Sequence, residues 1–116
     1  EGSGSFFVPI TVTSWYNHIM RIISRRVLRE FCEKHPDACI PLQTWYYDVA
    51  HTEWKSPAEI KAVYRNASFL AGNRVVFNIK GNRYRLIVVV NYSHGIVYIR
   101  FVGTHEEYDQ IDAYAI

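Results

Sequence analysis

Residues 74–108 read RVVFNIKGNRYRLIVVVNYSHGIVYIRFVGTHEEY, and the alternation within them decides the fold. Gly81-Asn82 is a two-residue hairpin signal, because glycine accepts the positive φ that such a turn needs. Closing the chain there pairs Lys80 with Arg83, Asn78 with Arg85, Val76 with Ile87 and Arg74 with Val89. The complementary set is Ile79 with Tyr84, Phe77 with Leu86 and Val75 with Val88. Side chains alternate across a strand, so a single register gives both strands one apolar face and one charged face.

A second turn around Tyr92-Ser93-His94-Gly95 extends the pattern into a third strand. If Asn91 pairs with Ile96, then Val90, Val88 and Leu86 meet Val97, Ile99 and Phe101 on the apolar face. Arg100 then lies across from Ile87, and Val102 across from Arg85. Thr104-His105-Glu106-Glu107 follows as a Thr-x-x-Glu capping box that opens a helix. His105 is thereby predicted at a helix N-terminus beside Arg85, where free N–H groups favour an anion.

Charge follows the same division. No acidic residue occurs in this stretch before Glu106, while Arg74, Lys80, Arg83, Arg85 and Arg100 all fall within it. A strand surface of that composition suits a polyanion. The net charge of +2 says little by itself; the segregation of acids to the helical region and the tail is what informs.

The remaining sequence predicts helices before the sheet. Met20 to Ile23 reads as a short strand. Ser24 to His35 places Val27, Leu28, Phe31 and Cys32 on one face and ends at Pro36. A second helix after Asp37 carries Leu42, Trp45, Tyr46 and Val49 at i, i+3, i+4 and i+7, ending near His51. A third starts with Ser56 as cap, Pro57 and Glu59, and presents Ile60, Val63 and Tyr64. Residues 66–73 read as a loop, and Tyr108 and Ile111 as inward-facing on a short terminal helix. The layout is α+β: helices covering one face of an antiparallel meander.

At 116 residues the chain holds one core, and 49% hydrophobic residues make it a packed domain. The longest apolar run, Leu86 to Val90, is far too short to cross a bilayer. Cys32 and Cys39 lack the companions of a zinc site and read as two buried free thiols. Glu1 to Ser5 resembles a linker, and residues 1–19 read as an extension ahead of a domain spanning 20–116, with an added edge strand at 6–19 as the alternative.

The chemistry is constrained by what is missing. The charged face offers no converging carboxylates or histidines for a metal, no phosphate-binding glycine loop and no Ser-His-Asp pattern. Metal-free RNA cleavage asks for less. The 2′-hydroxyl is the nucleophile, so the protein orients it, neutralises the phosphoryl charge and moves one proton on and one off. Arg85 and Arg100 are candidates to hold phosphoryl oxygens, His105 to act as acid or base, and Tyr108 to stack on a base or assist a proton transfer. Arg74, Asn78, Lys80 and Arg83 are candidate RNA-binding residues. Two other readings fit the same charges: a non-catalytic RNA-binding module, and a structural partner that only corepresses transcription.

From Met20 onward the chain resembles the HigB branch of the RelE-like toxins of bacterial toxin–antitoxin systems. The resemblance is carried by Arg21-Ile22-Ile23-Ser24, Trp54-Lys55-Ser56-Pro57-Ala58-Glu59-Ile60-Lys61, Arg74-Val75-Val76-Phe77-Asn78-Ile79, Gly81-Asn82-Arg83-Tyr84-Arg85-Leu86 and Tyr98-Ile99-Arg100-Phe101-Val102-Gly103-Thr104-His105. It implies a RelE-like two-layer domain and an mRNA-cutting toxin of the bacterial cytoplasm, usually acting at the ribosomal A site. It also implies restraint by a helix-turn-helix antitoxin, HigA, with operator DNA reached only through that antitoxin. No cofactor and no membrane are implied. By position, the family's Tyr-Arg pair falls on Tyr84-Arg85, the residue after the third strand on His105 and the following helical tyrosine on Tyr108. RelE itself has a basic residue where His105 stands and a longer spacing to its tyrosine. Tyr84 falls on the apolar face of the derived register and is expected to pack.

Overall fold

The computed structural model describes residues 20–116; the expected extension at 1–19 lies outside the described residues. Strand β1 (Arg21–Ile23) leads into helix α1 (Arg25–Lys34), which buries Leu28, Phe31 and Cys32. Pro36 cannot continue the helix, and a short 3-10 turn at Pro36–Ala38 redirects the chain into α2 (Cys39–Ala50). Helix α2 buries Leu42, Trp45, Tyr46 and Val49, the four positions that its spacing predicts. The same turn brings the ends of the two helices together. Cys32 and Cys39 therefore form a disulfide pair with Cα atoms 5.0 Å apart, which corrects the reading of two free thiols.

Helix α3 (Pro57–Val63) starts where the Ser-Pro-x-Glu signal puts it, with Glu59 accepting a bond from the Lys55 backbone N–H at 2.9 Å. Only Ile60 is buried; Val63, expected in the apolar stripe, is 67% exposed because the helix ends there.

Four more strands follow: β2 (Ser68–Leu70), β3 (Arg74–Ile79), β4 (Tyr84–Asn91) and β5 (Ile96–Thr104), in the order β1-β5-β4-β3-β2. The β1–β5 pair is parallel and the others antiparallel, so the sheet is mixed rather than antiparallel throughout. β2 lies within the stretch expected to be a loop. The α+β assignment itself holds, and the chain closes with helix α4 (His105–Asp109).

Every β3–β4 pair matches the register derived from Gly81-Asn82. The turn closes on Gly81-Asn82 as expected, with a bond from Arg83 N–H to the Lys80 carbonyl, and positive φ falls on Lys80 and Gly81. The β4–β5 register departs from expectation halfway along. Val88 faces Ile99 as derived, but Ile87 faces Phe101, Leu86 faces Val102 and Arg85 faces Gly103. A bulge leaves Arg100 as the extra residue, and such an insertion exchanges the faces of everything beyond it.

One sheet face packs Val75, Phe77, Leu86, Val88, Val97 and Ile99 against the helices. Trp45 and Trp54 flank Phe77 with ring centroids 5.5 and 5.9 Å away. Burying each such side chain contributes roughly 1.5–3 kcal/mol. The opposite face is not the open charged trough that the alternation predicts. Val76 and Ile87 on it are buried. The C-terminal segment runs along it from the Tyr108 ring over Arg85 to the Ile116 carbonyl, which accepts from Arg74 Nε at 2.8 Å.

Candidate active site

What stays together is the hairpin end of this face. Arg85 faces Asn78 on one neighbouring strand and Gly103, which has no side chain, on the other. As a residue Arg85 is 8% exposed, and its guanidinium is bonded to neutral acceptors: Nη1 to the Asn82 carbonyl at 3.0 Å, and Nη2 to Asn82 Oδ1 at 2.7 Å. Nη2 also contacts His105 Nδ1 at 2.8 Å, and the Tyr108 ring centroid lies 5.7 Å from the guanidinium carbon. Among the described residues, no carboxylate pairs with Arg85. A nearly buried cation without an anion is costly, and an anion brought against it would offset that cost.

The capping box expected at Thr104 fixes the other half of the site. Thr104 Oγ1 accepts from the Glu107 N–H at 3.1 Å, while Glu107 Oε1 accepts from the Thr104 N–H at 2.8 Å. The His105 N–H donates to the Arg83 carbonyl at 3.0 Å, which ties the start of α4 to the hairpin. Arg85, His105 and Tyr108 are thus brought into one cluster, with Asn78 next to it.

The other sequence-derived candidates lie elsewhere or are occupied. Arg83 Nη1 pairs with Asp37 Oδ2 at 2.6 Å, so its charge is neutralised by an acid from the turn before α2. Arg74 faces Val89, four residues along β4 from Arg85 and roughly 13 Å away at strand spacing. It is spent on the Ile116 and Ala71 carbonyls. Arg100 is exposed at the bulge, three residues from Gly103, and makes no bond to Arg85 or His105. Lys80 is exposed on the turn. Tyr84 packs edge-on against Phe31 at 5.2 Å and donates its hydroxyl to Asp37.

Two residues of the cluster were missed. Asn82 enters the sequence argument only as a turn former, yet it supplies both its carbonyl and its side chain to Arg85. Asp109, one turn further along α4, places Oδ2 3.4 Å from His105 Nε2. The i,i+4 spacing of His105 and Asp109 was the available signal. Among the described residues no group of three or more His, Cys, Asp or Glu converges as a metal site, and no helix is long and apolar enough to cross a membrane.

A mixed five-stranded sheet with helices on one face and a nearly buried arginine at its hairpin end defines a small α+β domain. Residues 38–111 match the HigB toxin family, described as the RelE-like toxic component of a toxin-antitoxin system, and the chain belongs to that family. It is 33% identical over 93 residues to the mRNA interferase toxin HigB of Escherichia coli K12, covering 78% of this chain and 88% of the relative. The mRNA interferase HigB of Shigella flexneri matches to the same extent. That of Escherichia coli CFT073 is 27% identical over 97 residues, covering 82% of this chain and 94% of the relative.

Proposed function

We propose that this toxin is an endoribonuclease, an mRNA interferase, that cleaves mRNA at the ribosome without a metal and so halts translation. The observation that carries the reading is Arg85: a nearly buried arginine held by neutral acceptors, beside an imidazole and a phenol. Its relatives' names supply the substrate class. The 2′-hydroxyl attacks the adjacent phosphorus as its proton passes to His105. The P–O5′ bond breaks and the leaving oxygen takes a proton from Tyr108; the proton held on His105 then returns through water to Tyr108, restoring both groups. The products are a 2′,3′-cyclic phosphate and a free 5′-hydroxyl. Arg85 holds the phosphoryl oxygens throughout, where charge builds up. Lys80, Asn78 and the exposed Arg100 contact the neighbouring RNA backbone, with smaller parts for Arg83 and Arg74, whose charges are already engaged.

The family implies an antitoxin partner. We take it to be a helix-turn-helix protein of the HigA kind, through which operator DNA is reached, in the bacterial cytoplasm. The test is Arg85→Ala, in cells and on purified ribosomes programmed with mRNA. Cleavage in EDTA should persist in the wild type. The variant should lose it by a factor on the order of 10²–10³, the effect of removing one preorganised donor, with a modest loss of RNA affinity. Equal losses of binding and cleavage would instead mark a binding module. Mapping 3′ ends with and without active translation decides whether the ribosome is required.

A further inference from the structure

Arginine carries only donors, so the nitrogen that meets Arg85 Nη2 at 2.8 Å must present a lone pair. His105 is therefore unprotonated at Nδ1, and as a neutral ring it carries its proton at Nε2. That nitrogen faces Asp109 Oδ2, 3.4 Å away on the same helix. The groups that face the ring are Arg85 from β4 and Asp109 from α4, with the Tyr108 ring beyond Arg85. The carboxylate of Glu107 is engaged on the Thr104 N–H and does not compete.

We propose that Asp109 is a positioning residue for this site: it holds His105 in the Nε2–H form, so that the lone pair at Nδ1 faces Arg85 and the place a phosphate would occupy. The assignment rests on the ribonuclease reading above and names its base nitrogen. Arg85 covers that lone pair. A phosphate that draws Arg85 onto its own oxygens uncovers it, and the 2′-hydroxyl proton then passes to Nδ1. The resulting imidazolium keeps its Nε2–H on the Asp109 carboxylate, which stabilises the new charge. Base activity is in this way tied to the arrival of the phosphate.

Asp109→Ala, Asp109→Asn and His105→Ala are compared with the wild type in cleavage of one defined mRNA across pH 5–9. Nitrogen NMR of His105 is recorded on each folded protein that retains the ring. The wild type should show a protonated Nε2 and a bare Nδ1. Asp109→Ala should give a mixture of tautomers, a kcat lower by about tenfold or more with KM little changed, and an acid limb moved to lower pH, because the imidazolium has lost its anion. Asp109→Asn still accepts the Nε2–H, so it should keep the tautomer while its acid limb moves as in Asp109→Ala. Unchanged tautomer, kcat and pH profile in Asp109→Ala, with a thermal melt like the wild type, would overturn the assignment. If the wild type cleaves no RNA at all, the ribonuclease reading is what fails; the NMR comparison still tests whether Asp109 sets the ring.

Discussion

The Tyr84 hydroxyl donates to Asp37 Oδ1 at 2.5 Å, joining the first residue of β4 to the turn between α1 and α2. The same carboxylate takes Arg83 on its other oxygen. One aspartate thus anchors the strand that carries Arg85 to the helical layer, 46 residues away in sequence from the arginine it pairs with.

This anchor predicts a stability profile with two edges. The Tyr84 hydrogen bond, with Arg83 adding to it, holds the Asp37 carboxyl below the usual aspartate range, and the bond to Asp37 raises the Tyr84 phenol. A depressed carboxylate contributes stability above its unfolded pKa, and the contribution disappears as pH falls through the folded one. A raised phenol contributes below its unfolded pKa and stops doing so as pH climbs through the folded one. The difference in urea midpoint between wild type and Tyr84→Phe should therefore be flat from about pH 5 to 9 and shrink below about pH 4 and above about pH 10. A difference that stays constant below pH 4 would show that the bond contributes nothing through ionised Asp37.

Replacing Arg85 separates function from stability. Arg85→Met fills the space without a buried charge and should be at least as stable as the wild type, by up to about 2 kcal/mol in urea unfolding, with cleavage abolished. Arg85→Lys keeps the charge but loses the planar fork that reaches Asn82 and His105 together, so it should restore little activity. A fully active Arg85→Lys enzyme would mean that point charge suffices.

RNA binding should distinguish cations that the alternation alone ranks together. Lys80 stands exposed at the turn, whereas Arg74 is bound to the Ile116 carbonyl. Lys80→Ala should lower the salt slope of RNA affinity by about 1, the signature of one phosphate contact, and Arg74→Ala should lower it by clearly less. Titrations at four salt concentrations measure both.

These cases show which features the sequence made legible. The β3–β4 register was readable because two runs alternate around one turn, and a slip of one residue would have exposed Phe77 and Leu86. The capping box was readable because its two bonds are local. The bulge at Arg100 was not, since an inserted residue leaves no mark in composition and the alternation can be continued straight through it. β2 is three residues long, too short to display a period. Asp37 with Arg83, and the tail against Arg74, are meetings of distant segments that spacing cannot announce. The basic stretch was visible; which of its charges were already neutralised was not.

Gly103 tests whether the bulge matters to the site. It faces Arg85, and a Cβ built there would lie 2.5 Å from the Phe101 ring tip and 2.8 Å from Glu107 Oε1. Phe101 is a rigid ring, and Glu107 is committed to the Thr104 N–H, so neither yields freely. Gly103→Ala should cost about 1–3 kcal/mol, the usual range for overpacking a filled space. If the strain is relieved at Glu107, the capping box opens, α4 loosens and His105 leaves Arg85. Cleavage should then fall further than Thr104→Ala lowers it, because that variant removes the cap, at about 1 kcal/mol, without crowding Phe101. A Gly103→Ala protein with wild-type melting and wild-type cleavage would show that the space opposite Arg85 is not needed, and that the start of α4 is set by the hairpin contact at Arg83 alone.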